Sequence, residues 1–252
     1  MLPHAAMMRQ VDQQAKAGFE APSEALEGWR FRSSPRARRL SARVHLDGRV
    51  EIVLPRGTTA AAVEAFIARH RRWIDSRVAE RRALDPAPFP PSRIDLPAFG
   101  QHWRLHLAGG SGAPRVTALG TGLLSLRGAG DRGAMVGALR EWLRAHCREP
   151  MGARLGELAQ QHGFAYSAVH LRCQRTRWGS CSRRGVISLN VCAAFQPAPV
   201  LDYLLLHELA HTRHMNHSVA YWQTVESVCP GWRTLDRELT GGWRHVPSWL
   251  FS

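Results

Sequence analysis

The stretch HELAHTRHMNH, from His207 to His217, places four histidines and one glutamate close together. On a helix, His207 and His211 lie one turn apart on the same face. Both imidazoles can then reach one cation at the zinc–nitrogen distance of about 2.0–2.1 Å. Glu208 sits beside that face. It can act on a water at the metal without being a ligand, as in the H-E-x-x-H arrangement of two zinc ligands and a general base. The flanking leucines, Leu204, Leu205, Leu206 and Leu209, make the helix apolar almost all round and therefore buried. A buried glutamate and two buried histidines need a reason, because an uncompensated buried charge is costly.

A catalytic zinc takes three protein ligands and keeps a position for water. His214 and His217 are the remaining candidates. If the helix continued, His214 would lie about 10.5 Å of helix rise from His207, too far to share its metal across His211. If the helix ends just after His211, the chain can turn back and His217 can return to the metal. The result is H-E-x-x-H-x5-H, the metzincin spacing, with His214 where metzincins carry glycine. Asn216 is the residue best suited to a left-handed turn there. Zinc is thus expected at His207, His211 and His217, with Glu208 as catalytic base and His214 spare. His214, Tyr221 and an arginine among Arg172, Arg175 and Arg177 stand as candidates to stabilise an oxyanion.

These residues must be carried by defined elements. VLDYLLLHELAHTRH reads as the metal helix, and Ser218 as the cap of a following helix that ends at Pro230-Gly231. Upstream, VHLRCQRTRWGSCSRRGVISLNV reads as two β-runs joined at Ser182–Gly185. GVISLN has the character of a strand that binds extended substrate by main-chain pairing. Trp178, Gly179 and Ser180 would lie at the hairpin end near the metal, with Arg177 beside them. The alternative is a packing motif of tryptophan anchor, turn glycine and buried cysteine. A helical region covers about 132–162, with a break expected near Pro150. Three strands precede it, around QHWRLHLAGG, RVTALG and GLLSLRG. Further upstream, ARVHL and RVEIVLP flank the hairpin signal Asp47-Gly48. A long helix then follows candidate caps Thr58 and Thr59, with Val63, Phe66, Ile67, Ile74 and Val78 facing a core. DPAPFPPSR reads as a linker.

These readings predict an α+β fold. Residues 1–28 form a flexible tail, 29–130 a β-rich portion with one long helix, and 131–252 a catalytic portion with the metal helix. The chain has 252 residues, ample for a buried core, and no run approaches the ~20 apolar residues of a membrane helix. The first residues do not read as a signal peptide. The five cysteines form no C-x-x-C pair and suggest a reduced, cytoplasmic protein. A nucleophilic cysteine, Cys181 with a histidine base, would define another enzyme class. The formal net charge of +14 points to anionic partners, with a non-specific nucleic-acid surface formed by Arg69, Arg71, Arg72, Arg77, Arg81 and Arg82 beside Arg36, Arg38 and Arg39. Lys16 is the only lysine, so a GC-rich coding sequence explains the arginines equally well.

RTRWGSCSRRGVISLN followed by DYLLLHELAHTRHMNHSVAYW resembles the YgjP-like metallopeptidases, distant relatives of SprT-like zinc proteases. The resemblance is strong over about residues 170–233 and weaker over RRLSARVHLDGRVEIVLP. It implies a zincin-like core, with His207, His211 and His217 as zinc ligands and Glu208 as base; it does not fix the substrate, and a peptidase acting on polypeptide is the favoured reading. Trp178, Gly179, Ser180, Arg177 and Tyr221 are the candidate substrate contacts. Two other functions remain open: a zinc-dependent nucleoside triphosphate pyrophosphohydrolase, with arginines binding phosphate, and a nucleic-acid-binding module with a structural zinc. Three histidines with an adjacent glutamate argue against the last, since structural sites close with a fourth protein ligand.

Overall fold

The computed structural model describes residues 29–45, 48–83 and 89–251, so the expected tail, 1–28, lies outside the described residues. The chain forms two compact units, Met1–Pro86 and Ala87–Ser252, dividing within the proline-rich stretch that reads as a linker. The fold is of the mixed α+β class expected from the sequence.

In the first unit, β1 (Trp29–Ser33), β2 (Ser41–Val44) and β3 (Val50–Leu54) form a sheet of order β1-β3-β2. β2 and β3 are the two arms of the anticipated hairpin, in antiparallel register from Ser41↔Val53 to Val44↔Val50. The tip residues Leu46 and Asp47 lie outside the described residues. Helix α1 (Ala60–Ala83) starts where Thr59 Oγ1 accepts the Ala62 amide at 3.3 Å. Val63, Ile67 and Ile74 are buried against Val50, Ile52 and Leu54, with Phe66 and Val78 at the margin. This is the stripe that the 3.6-residue period requires. Of the arginines on its outer side, Arg71 pairs with Asp75 and Arg77 with Glu80. Two of these arginines are therefore answered within the helix.

The second unit opens with β4 (Arg93–Leu96), β5 (Gln101–Ala108), β6 (Arg115–Gly120) and β7 (Leu123–Arg127), in a sheet of order β4-β5-β7-β6. Helix α2 (Arg132–His162) follows, capped by Asp131, whose carboxylate accepts the Ala134 amide at 2.8 Å. It does not break at Pro150. Proline removes one backbone donor, but Leu143, Cys147, Met151 and Leu155 are all fully buried at i, i+4 spacing across it, and this anchoring outweighs the lost hydrogen bond. Strands β8 (Ala168–Arg172), β9 (Gly179–Cys181) and β10 (Val186–Asn190) form a third sheet of order β8-β10-β9. Helices α3 (Ala198–Ala210), α4 (Val219–Val228) and α5 (Trp232–Gly241) complete the unit. No helix among the described residues is long and apolar enough to cross a membrane.

Candidate metal centre

Helix α3 carries the H-E-x-x-H residues. It begins after Pro197, with Pro199 in the first turn, where a missing N–H costs nothing. Val200, Leu201, Tyr203–Leu206 and Glu208–Ala210 are buried, so the helix is enclosed on nearly every side. A bidentate ion pair ties it to α2: Arg154 Nε and Nη2 donate to the two Asp202 oxygens, each at 2.8 Å. The helix ends at His211, its C-cap, as the third-ligand argument requires. The chain then turns, and Ser218 Oγ caps α4 by accepting the Tyr221 amide.

This turn brings His217 back. His217 Nε2 lies 3.3 Å from His207 Nε2, and the candidate ligand atoms of His207, His211 and His217 all lie within 4.8 Å of one another. Two nitrogens on one tetrahedral zinc are separated by about 3.3 Å when each bond is about 2.05 Å. The trio can therefore hold a metal ion. His214 contributes its backbone instead: its carbonyl accepts from His211 Nδ1 at 3.0 Å. That bond places the proton on Nδ1 and leaves the Nε2 lone pair of His211 for a cation.

His207 is oriented in a similar way, by residues that the motif does not contain. Tyr203 Oη donates its single proton to Asp236 Oδ1 at 2.7 Å. Its oxygen can then only accept from His207 Nδ1, 3.3 Å away. The chain Asp236–Tyr203–His207 again frees Nε2. Tyr203, four residues before His207, could have been picked out by helical spacing; Asp236 on α5 has no sequence signal linking it to the site. His217 is more exposed and is held by rings. It stacks on Trp222 at 5.4 Å, and Trp222 in turn stacks on Trp232 at 4.1 Å. Tyr221 is fully buried, stacks on His211 at 4.6 Å and donates to the His207 carbonyl at 3.1 Å. Its hydroxyl is engaged with the backbone, so Tyr221 positions His207 and His211.

Glu208 is 3% exposed, and its Oε2 is buried with no hydrogen-bond partner. An orphaned carboxylate oxygen beside three converging imidazoles fits a site that takes a cation and a water. Burial pushes the Glu208 carboxyl up to about 8, against the opposing field of Arg177. Burial, with the neighbouring His211 and His217, lowers His207 to about 3. A cation at the site favours both the neutral ring and the carboxylate, and so removes the penalty that burial alone imposes.

The RWGSC stretch meets this centre through β9. An ideal Cβ on Gly179 would stand 2.4 Å from Glu208 Oε1, so the carboxylate occupies the space that any side chain here would need. Trp178 stacks on Trp243 at 4.1 Å, and its carbonyl accepts the Asn190 amide at 2.8 Å. Ser180 faces Ser188 across the β9–β10 ladder. Burial and the charge of Glu208 raise the Cys181 thiol, which keeps it protonated and a poor nucleophile. The expectation that GVISLN binds extended substrate is corrected here. β10 is the central strand, parallel to β8 on one side and antiparallel to β9 on the other, so both of its edges are taken. The edge strand beside α3 is β9. Of the three oxyanion arginines considered, Arg177 exerts its field on Glu208, whereas Arg172 and Arg175 line a separate cavity.

The YgjP-like metallopeptidase domain profile matches residues 38–241, and the chain belongs to that family. Two solved structures share local similarity. The metallopeptidase zymogen abylysin of Pyrococcus abyssi is 26% identical, at a TM-score of 0.33, over 36% of this chain and 93% of its own. The zymogen jannalysin of Methanocaldococcus jannaschii is 15% identical, also at 0.33, over 36% of this chain and 95% of its own. No curated protein matches the chain.

Proposed function

We propose that this metallopeptidase-family chain is a zinc-dependent peptidase in which His207, His211 and His217 hold the metal and Glu208 is the general base. The observation that carries the reading is the orphaned, buried Glu208 Oε2 next to three imidazoles that can hold a metal ion. Zinc held there would lower the pKa of a water towards about 7 and polarise a peptide carbonyl. Glu208 accepts the water's proton at Oε2 and passes it to the leaving amine. Gly179 keeps that carboxylate in place, and the Asp236–Tyr203 and His214 carbonyl contacts keep the imidazoles in the metal-binding tautomer. An extended polypeptide pairs with the outer edge of β9, with Trp178, Gly179 and Ser180 beside it and Arg177 supplying positive charge.

The test is to incubate zinc-loaded protein with a pool of unfolded proteins and, separately, with nucleoside triphosphates. New peptide termini seen by mass spectrometry, and lost in Glu208→Gln at unchanged zinc content, are expected. Release of pyrophosphate or phosphate without peptide cleavage would replace the peptidase by a phosphohydrolase. Neither activity, with zinc bound, would leave a structural site.

A further inference from the structure

The second unit contains a cavity of about 540 Å³ that shares no residue with the histidine centre. Its wall is formed by Arg140 and Arg144 from α2, Arg172 from the end of β8 and Arg175 from the loop that follows, with Cys173 and Phe251. We propose that this cavity binds a small anion carrying at least two phosphate groups.

The charge arrangement is the first argument. Four guanidinium groups from two chain segments line the space, and among the described residues no acidic side chain does. Elsewhere in this unit, Arg154 meets Asp202 and Glu157, and Arg233 meets Glu226. Arg144 and Arg172 form no ion pair with any described residue. Bringing like charges together is unfavourable unless an anion answers them.

Preorganisation is the second. Arg140 Nε donates to the Leu250 carbonyl at 2.7 Å, and Arg175 Nη2 donates to the Phe251 carbonyl. Both guanidinium groups also lie against the Phe251 ring, at 6.0 and 5.3 Å from its centroid. These contacts fix two forks of donors before any ligand arrives. Planar forks match phosphate oxygens in pairs, and four of them exceed what one phosphate uses. The volume falls in the usual range of about 300–1,000 Å³ for small-molecule sites, and buried Phe251 supplies an apolar wall.

Cys173 registers the same field. Its thiol is lowered to about 7, first by the hydrogen bond with Cys192 and then, against burial, by Arg140, Arg144 and Arg175. It therefore offers a readout independent of any enzymatic activity.

The full-length protein is titrated calorimetrically at low ionic strength with tripolyphosphate and, separately, with a nucleoside triphosphate; which binds more tightly identifies the source of the phosphates. One saturable site is expected, with slower alkylation of Cys173 when it is filled. Arg144→Gln combined with Arg172→Gln, both exposed, should weaken binding by roughly 100-fold, about tenfold for each charged contact. The control pair Arg36→Gln with Arg38→Gln removes the same charge from exposed positions of the first unit and should change it less than twofold. His211→Ala should leave it unaltered, which separates this site from the metal centre. Equal weakening by both arginine pairs, loss in His211→Ala, no saturable binding with no protection of Cys173, or binding of a single-stranded oligonucleotide alone would each overturn the proposal.

Discussion

Replacing Gly179 with alanine isolates the contact between β9 and the candidate base. The added Cβ would lie 2.4 Å from Glu208 Oε1, 2.7 Å from Cδ and 2.8 Å from Cγ. Ordinary carbon contacts are about 3.5–4.0 Å, so the carboxylate or the strand must move by about 1 Å. Gly179 does not have a positive φ, so the backbone itself accepts alanine and the clash alone acts. A misplacement of about 1 Å costs a catalytic group on the order of 100-fold, or about 2.7 kcal/mol of transition-state stabilisation. Overpacking of this kind destabilises by roughly 1–3 kcal/mol, and each kcal/mol lowers Tm by about 2–4 °C at this size. The assay is kcat/KM on a quenched unfolded-protein substrate, with zinc content and Tm measured on the same samples. About 100-fold lower activity, full zinc and a Tm several degrees lower are expected. Gly152→Ala is the control: nothing lies within 4 Å of its Cβ in α2, so it should stabilise by up to about 1 kcal/mol and leave activity unchanged. Near wild-type turnover by folded, zinc-loaded Gly179→Ala would refute the placement of Glu208 as base.

His217→Ala should weaken zinc far more than His214→Ala in competition with a chromogenic chelator, because His214 contributes only its carbonyl. The reverse order would remove His217 from the ligand set. Tyr203→Phe deletes the acceptor for His207 Nδ1, and zinc affinity should fall roughly 10- to 100-fold with the fold intact by circular dichroism; unchanged affinity would show that the hydroxyl does not set the tautomer. Alkylation of Cys173 should rise with pH and reach half its plateau near pH 7, since the thiolate reacts and its pKa is lowered to about 7, whereas Cys147, pushed up to about 12 by burial, should stay unreactive. A Cys173 midpoint at or above the ordinary thiol value of about 8.5 would contradict a thiol lowered by the Cys192 hydrogen bond and the arginines together.

What the sequence disclosed and what it withheld divide along the distance between interacting residues. The period of α1, the β2–β3 hairpin, the capped α4 and the end of α3 at His211 depend on neighbours a few positions apart, and the sequence predicts them. So does the return of His217, because helix rise and six residues of slack decide it. Pro150 misleads because the rule that proline breaks helices is local, while Cys147, Met151 and Leu155 are held by the rest of the unit. β10 misleads because its extended character does not reveal that β8 takes its other edge. The candidate metal-binding trio is thus written in one short stretch, but the residues that orient His207 and confine Glu208 include partners from elsewhere: Gly179 from β9 and Asp236 from α5. An H-E-x-x-H helix lacking those partners would have the right donors with no fixed tautomer on His207 and no wall against Glu208. The physical distinction between a chance motif and a working centre therefore lies in these long-range contacts, and the two substitutions at Gly179 and Tyr203 probe it from opposite sides of the same helix.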